Sequence, residues 1–172
     1  MQAAIIGCGL IGKKRARALG PVRLGACCDL VEERARALAA EHPGAVVIAD
    51  WREAATHPDV GIVIVAFTHD MLAPIAEAAA AAGKHVLIEK PGGRRAAELD
   101  AVAEAARRTG ALVRVGFNHR FHRAFRKARE IFDSGALGPM MFVRARYGHG
   151  GRPGYDREWR ADPARSGGGE LL

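Results

Sequence analysis

The sequence predicts an α/β fold, a doubly wound parallel sheet followed by the incomplete start of an α+β C-terminal domain. Three observations predict it. Apolar, β-rich runs alternate with Ala/Leu-rich helical patterns through residue 116, a glycine triad directly follows the first run, and the alternation stops after Phe117. Strands joined by helical crossovers can pair only in parallel.

The strands are expected at about 2–6, 22–28, 45–49, 60–67, 85–89 and 112–117. Most are continuous apolar runs such as Ile62-Val63-Ile64-Val65, the pattern of strands covered on both faces. Helices are expected at about 10–19, 31–42, 71–82 and 94–109, with a shorter turn near 51–56. Gly20-Pro21, Gly83 and Gly110 stand where such helices should stop. Six strands with these crossovers imply the order 3-2-1-4-5-6. Beyond Phe117 the expectation is a basic helix at about 119–134, a strand at about 139–147 and a Gly/Pro/Arg-rich loop at 148–169. The domains are therefore read as 1–117 and 118–172.

Bulk composition narrows the function classes. With 49% hydrophobic and 26% charged residues over 172 positions, the chain is an ordinary globular protein rather than a disordered one. Its apolar runs are too short to span a bilayer, and no export signal opens the chain, so no membrane partner is expected and the location reads as cytoplasmic. The three cysteines, Cys8, Cys27 and Cys28, make no disulfide or zinc pattern and read as small buried packing groups. The net charge of +7 invites a nucleic-acid reading. Residues 1–117, however, hold 15 basic against 13 acidic groups, so most of the excess lies in the last third. There Phe121 and Phe125 are spaced i, i+4, which marks a buried helix face more often than a base-stacking platform. No nucleic-acid partner is expected. His119 and His122 lack a third ligand, so no metal is expected either.

Gly7-Cys8-Gly9-Leu10-Ile11-Gly12 is G-x-G-x-x-G between a strand and a helix. In that context Gly7 allows a tight turn, Gly9 lets backbone approach a pyrophosphate, and Gly12 lets helix and strand pack closely. Helix N-terminal amides then bind the anion. Asp29 ends the second strand 22 positions after Gly7, the place of an acid that hydrogen-bonds the adenosine ribose. A carboxylate there repels a 2′-phosphate, which favours NAD over NADP without eliminating the latter. Methyltransferases also carry an acid after strand two, so Asp29 alone does not name the ligand. Residues 1–117 are thus read as a Rossmann-type nicotinamide dinucleotide-binding domain.

Glu89-Lys90-Pro91 closes the fifth strand, Gly116-Phe117-Asn118-His119-Arg120-Phe121 spans the domain junction, and Glu158-Trp159-Arg160-Ala161-Asp162 leads to Ser166-Gly167-Gly168-Gly169-Glu170-Leu171. Together these runs resemble the glucose–fructose oxidoreductase/inositol dehydrogenase family (Gfo/Idh/MocA) over the whole chain. The resemblance implies an NAD(P)-dependent oxidoreductase that passes a hydride between nicotinamide and a secondary alcohol or ketone. The substrate it implies is a sugar, nucleotide sugar or cyclitol. Lys90 would be the catalytic group and would touch substrate together with Trp159 and Arg160. Thr68, Asp70, Glu89 and Asn118 would join the glycine loop and Asp29 on the cofactor. The Thr68-His69-Asp70 run departs from the T-P-N of many members. Physics agrees for Lys90: a cation at a strand end near the topological switch point can hold a reacting oxygen and stabilise developing charge.

The resemblance also implies a D-x-G-x-H run beginning one residue beyond Leu172, whose Asp and His usually complete the proton relay. The 172-residue chain is accordingly read as a fragment, expected to bind dinucleotide but to be catalytically incomplete, and a homo-oligomer is expected at full length. The alternative is a non-catalytic dinucleotide-binding module.

Overall fold

A computed structural model describes residues 1–146, 148 and 153–168. Six strands form one sheet: β1 (Gln2–Ile6), β2 (Arg23–Cys28), β3 (Val46–Val47), β4 (Val60–Val65), β5 (His85–Glu89) and β6 (Val113–Gly116). The order is β3-β2-β1-β4-β5-β6 with every pairing parallel, as the crossovers demand. Helices α1 (Leu10–Arg17), α2 (Glu32–Ala40), α3 (Trp51–Thr56), α4 (His69–Ala81) and α5 (Glu98–Thr109) make the crossovers. Among the described residues no helix is long and apolar enough to cross a membrane.

The pleat explains the two cores. Successive strand residues point to opposite faces, so Ala4 and Ile6 enter one cluster and Ile5 the other. The first cluster packs β1 and β4 against Ala54 and Ala55 of α3, Leu72 and Ile75 of α4, and Val102 of α5. The second packs Ile5, Cys27 and Ile64 against Ala16 of α1 and Ala35 and Leu38 of α2. Ile5, Ile6, Leu72, Ile75 and Ile88 are fully buried, and each such side chain contributes about 1.5–3 kcal/mol of transfer free energy. The three cysteines are buried and free.

The largest departures from expectation lie at element ends and after the sheet. β3, an edge strand paired with β2, is two residues long rather than the five expected at 45–49. Helix α5 starts at Glu98 rather than near residue 94, because the Glu98 carboxylate accepts from the Arg94 backbone N–H at 2.8 Å and holds residues 94–97 in a turn. The expected helix at 119–134 is two pieces, a 3-10 turn at Asn118–Phe121 and α6 (Arg123–Asp133). The break falls at His122, whose extended backbone serves as the N-cap and whose ring accepts from Ala124 N–H at 3.3 Å.

The strand expected at 139–147 does not form over residues 139–146, which are irregular and exposed; Tyr147 lies outside the described residues. Met140-Met141-Phe142-Val143 has strand propensity, but no sheet edge stands beside it among the described residues, and propensity without a pairing partner does not make a strand. Within the loop expected at 148–169, residues 155–166 fold into two 3-10 turns and the short helix α7 (Pro163–Ser166). Residues 149–152, and 169–172 of the glycine-rich run, lie outside the described residues.

Candidate dinucleotide and substrate cleft

The sheet splits at β1, which pairs with β2 on one side and β4 on the other. Crossovers leave this point in opposite directions and open a crevice at the carboxyl ends of the strands. A cleft of about 1210 Å³ lies there. Its walls are the glycine loop from Gly7 to Ile11, Asp29 with Leu30 and Val31, the β4 end from Ala66 to His69, Glu89 and Lys90 at the β5 end, and the segment containing Tyr155 and Glu158–Arg160.

The three loop glycines do different work. Gly7 has φ +99°, and a Cβ there would sit 2.1 Å from the Ala66 carbonyl oxygen. A Cβ on Gly12 would sit 2.0 Å from the Gly7 carbonyl oxygen, so Gly12 packs the helix onto the loop and does not line the cleft. Gly9 is the reverse case. It caps α1 with an ordinary extended backbone, lines the cleft, and a Cβ there would meet no protein atom within 4 Å. The space beside Gly9 is free for a ligand, which is the fit a dinucleotide phosphate at the α1 N-terminus requires. Lys13, Arg34 and Arg165 add positive charge to the same lining.

Asp29 reaches back to the loop. One carboxylate oxygen accepts from the Cys8 backbone N–H at 2.7 Å, and the other from Val31 N–H at 2.9 Å. The carboxylate therefore braces the glycine turn as well as lining the cleft. The Cys8 thiol points into the core, 3.4 Å from the Cys28 carbonyl, so Cys8 offers a ligand its backbone only. The Cys27 thiol and burial hold the Cys8 thiol well above the ordinary thiol range. Burial and nearby Asp29 push Cys28 up to about 11, so both remain protonated near neutral pH.

Glu89 lines the cleft and is held by the Arg15 guanidinium from α1, with both side chains largely shielded. Pleat alternation puts Glu89 on the same side as Leu87, which packs in the cluster containing α1. Lys90 is exposed toward the cleft and precedes a cis peptide to Pro91.

Asp70 and Asn118 do not line the cleft. Asp70 lies in the first turn of α4, with its Oδ1 buried and without a partner, where the helix dipole favours a carboxylate. Asn118 opens the exposed 3-10 turn after β6. Trp159 and Arg160, 70 and more residues beyond the strand ends, do reach the cleft. Their segment is built by local rules: Asp162 caps α7 by accepting from Ala164 N–H at 2.9 Å, and Pro163 supplies the first helical residue. Arg160 stacks on the Trp159 ring at 4.5 Å and pairs with Glu158 at 3.2 Å.

Two groups escaped the sequence reading. Arg15 had a signal, a cation one turn past Gly12 on the helix side facing β5. His69 stood in the sequence only as a departure from T-P-N. In the fold its ring meets Trp159 edge-to-face at 4.7 Å, and its Nδ1 lies 2.9 Å from the Ser166 carbonyl oxygen.

A model of the oxidoreductase family with an NAD-binding Rossmann fold, GFO/IDH/MocA, matches residues 1–117. This chain belongs to that family. A model of the GFO/IDH/MocA C-terminal domain also matches residues 125–172 of this GFO/IDH/MocA chain. Inositol 2-dehydrogenase of Salmonella typhimurium is 31% identical over 153 residues, 86% of this chain and 46% of that protein. The structure of an NAD-binding protein from Listeria innocua superimposes with TM-score 0.85 at 28% identity, covering 99% of this chain and 50% of the other. Scyllo-inositol dehydrogenase from Lactobacillus casei, with bound NAD(H) and scyllo-inositol, gives TM-score 0.73 at 25% identity over 80% of this chain and 42% of that one. The chain thus spans about half the length of the relatives it matches.

Proposed function

We propose that this GFO/IDH/MocA chain binds NAD(H) in the β1/β4 cleft and supplies the lysine of an oxidoreductase acting on a secondary alcohol or ketone of a sugar or cyclitol. The observation that carries this reading is a single cleft lined by the glycine loop, Asp29, Lys90 and the Trp159–Arg160 segment. The open space at Gly9 and the α1 N-terminus receive the pyrophosphate, while Asp29 accepts a ribose hydroxyl and repels a 2′-phosphate. This reading favours NAD over NADP.

Bound nicotinamide supplies the hydride acceptor. Lys90 Nζ hydrogen-bonds the reacting oxygen, so the hydroxyl proton leaves through that nitrogen in oxidation and returns through it in reduction. Trp159 and Arg160 border the substrate, an aromatic face and a multi-donor guanidinium suited to a hydroxyl-bearing ring. Polyol substrates are supported by the inositol dehydrogenases among the relatives. The buried free thiols fit a reducing compartment, the cytoplasm.

Fluorescence titration with NADH and NADPH tests the cofactor reading. Asp29→Ala should weaken NADH binding by about 1–2 kcal/mol, the scale of a charge-assisted hydrogen bond, and narrow the preference against NADPH. An unchanged NADH/NADPH affinity ratio would refute the role of Asp29. In a chain extended to the length of the relatives, Lys90→Ala should lower turnover by about two to four orders of magnitude with little loss of NADH affinity.

A further inference from the structure

The contacts of His69 point to a role that neither the glycine motif nor the E-K-P run contains. His69 is the first residue of α4, directly after the β4 end that lines the cleft. A carbonyl oxygen only accepts, so the 2.9 Å approach to Ser166 makes Nδ1 the protonated nitrogen, donating to that carbonyl. The same ring stands edge-to-face against Trp159 at 4.7 Å. Trp159 in turn carries Arg160, which Glu158 pairs. Ser166 is 2% exposed, the one buried polar residue among those described, so its carbonyl is offered to His69 in a closed contact. Arg94 also ties the segment, its Nη1 donating to the Ala164 carbonyl at 2.6 Å, with Arg94 itself paired to Glu98.

We propose that His69 is the positioning residue that sets the Trp159–Arg160 wall on the cofactor cleft, and through it the substrate side of the site. This rests on the proposed function for its meaning, but the joint itself is a contact within the chain. Two elements about 90 positions apart meet through one imidazole. It offers a donor to a buried carbonyl and a ring edge to an indole, and no other side chain of α4 has a hydrogen bond to the segment among those described. An aliphatic residue supplies neither contact.

Trp159 is its own reporter, because the chain has two tryptophans and Trp51→Phe leaves it alone. In that background we expect His69→Ala to shift Trp159 emission to the red and to raise its acrylamide quenching constant about two- to threefold, with the far-UV spectrum unchanged. His69→Asn places an amide donor where Nδ1 stands and should recover most of the protection. Should His69→Ala fail to fold, His69→Leu, which loses both the donor and the ring, is read the same way. Quenching unaltered by the loss of His69, or an Asn variant as open as the Ala or Leu variant, would overturn the joint. Absence of NADH binding in every variant and in the parent would fall on the proposed function and leave the joint standing.

Discussion

Phe67 and Phe125 are chemically the same residue, yet one packs against the buried core beside β4 and the other is 59% exposed on α6. The contrast holds for whole regions. Every buried hydrophobic side chain among the described residues comes before residue 112, while Phe117, Phe121, Phe125, Met141 and Phe142 are exposed in the stretch that follows. In the sheet domain each strand run meets a neighbouring strand and a helix, so apolar residues convert into a core. After β6 the same residue types find no second layer among the described residues. Residues 155–166 are the exception, and they are ordered against the sheet domain through His69 and Arg94 rather than by a core of their own. Partners, not propensity, decide which apolar residues are buried.

Removing one large side chain from each region should have unequal effects on stability. Leu72→Ala on α4, fully buried between helix and sheet, should lower unfolding free energy by about 2–5 kcal/mol, read by urea denaturation. If Leu72→Ala unfolded at the wild-type midpoint, the core described here would be wrong.

A smaller effect is expected where the two regions touch. Burial holds the His69 pKa below its ordinary 6.5, helped by the charges of Lys90 and Arg160 and opposed by the Ser166 carbonyl and Asp70. With the docked pKa lowered, the undocked state, in which the His69 imidazole is solvated, binds more protons just below pH 6.5. Docking is therefore complete above that value and weakens as pH falls toward the lowered pKa. Trp159 quenching in the Trp51→Phe protein should rise over that interval, and the rise should be absent in His69→Asn. A flat profile in the protein that retains His69 would contradict the assignment of a neutral, half-buried ring.

The smallest effect belongs to α6. Phe125→Ala, on a helix with no buried residue, should shift unfolding free energy by less than about 0.5 kcal/mol, measured by the same denaturation. A loss as large as that of Leu72→Ala would mean that α6 packs against the sheet domain after all.

Much of the sheet domain was legible because its signals are local. Ile62 to Val65 is a covered strand by its own composition, and Gly7, Gly9 and Gly12 are read by spacing within a single turn. The E-K-P lysine also stood where strand-end logic puts it. What stayed hidden were contacts between residues far apart in sequence. Arg15 with Glu89 spans 74 positions and His69 with Ser166 spans 97, and no periodicity encodes either. Asp29 was found, but its hold on Cys8 N–H was not, because spacing locates a carboxylate and does not say which donors its oxygens satisfy. The strand expected near residues 139–147 is absent over 139–146 for the complementary reason: its local signal was sound, and no described strand pairs with it.

The glycine loop is proposed as a ligand cradle and not only a tight turn. Gly9 separates these, since a side chain there meets no protein atom yet stands in the cleft. Equilibrium titration of the chain and of Gly9→Val with NADH, alongside urea unfolding of both, is the direct measurement. The account predicts saturable one-site binding by the wild type, weakened more than about tenfold, or about 1.4 kcal/mol, in Gly9→Val, with an unchanged unfolding midpoint. Wild-type affinity in Gly9→Val, or no saturable binding by the wild type, would contradict it.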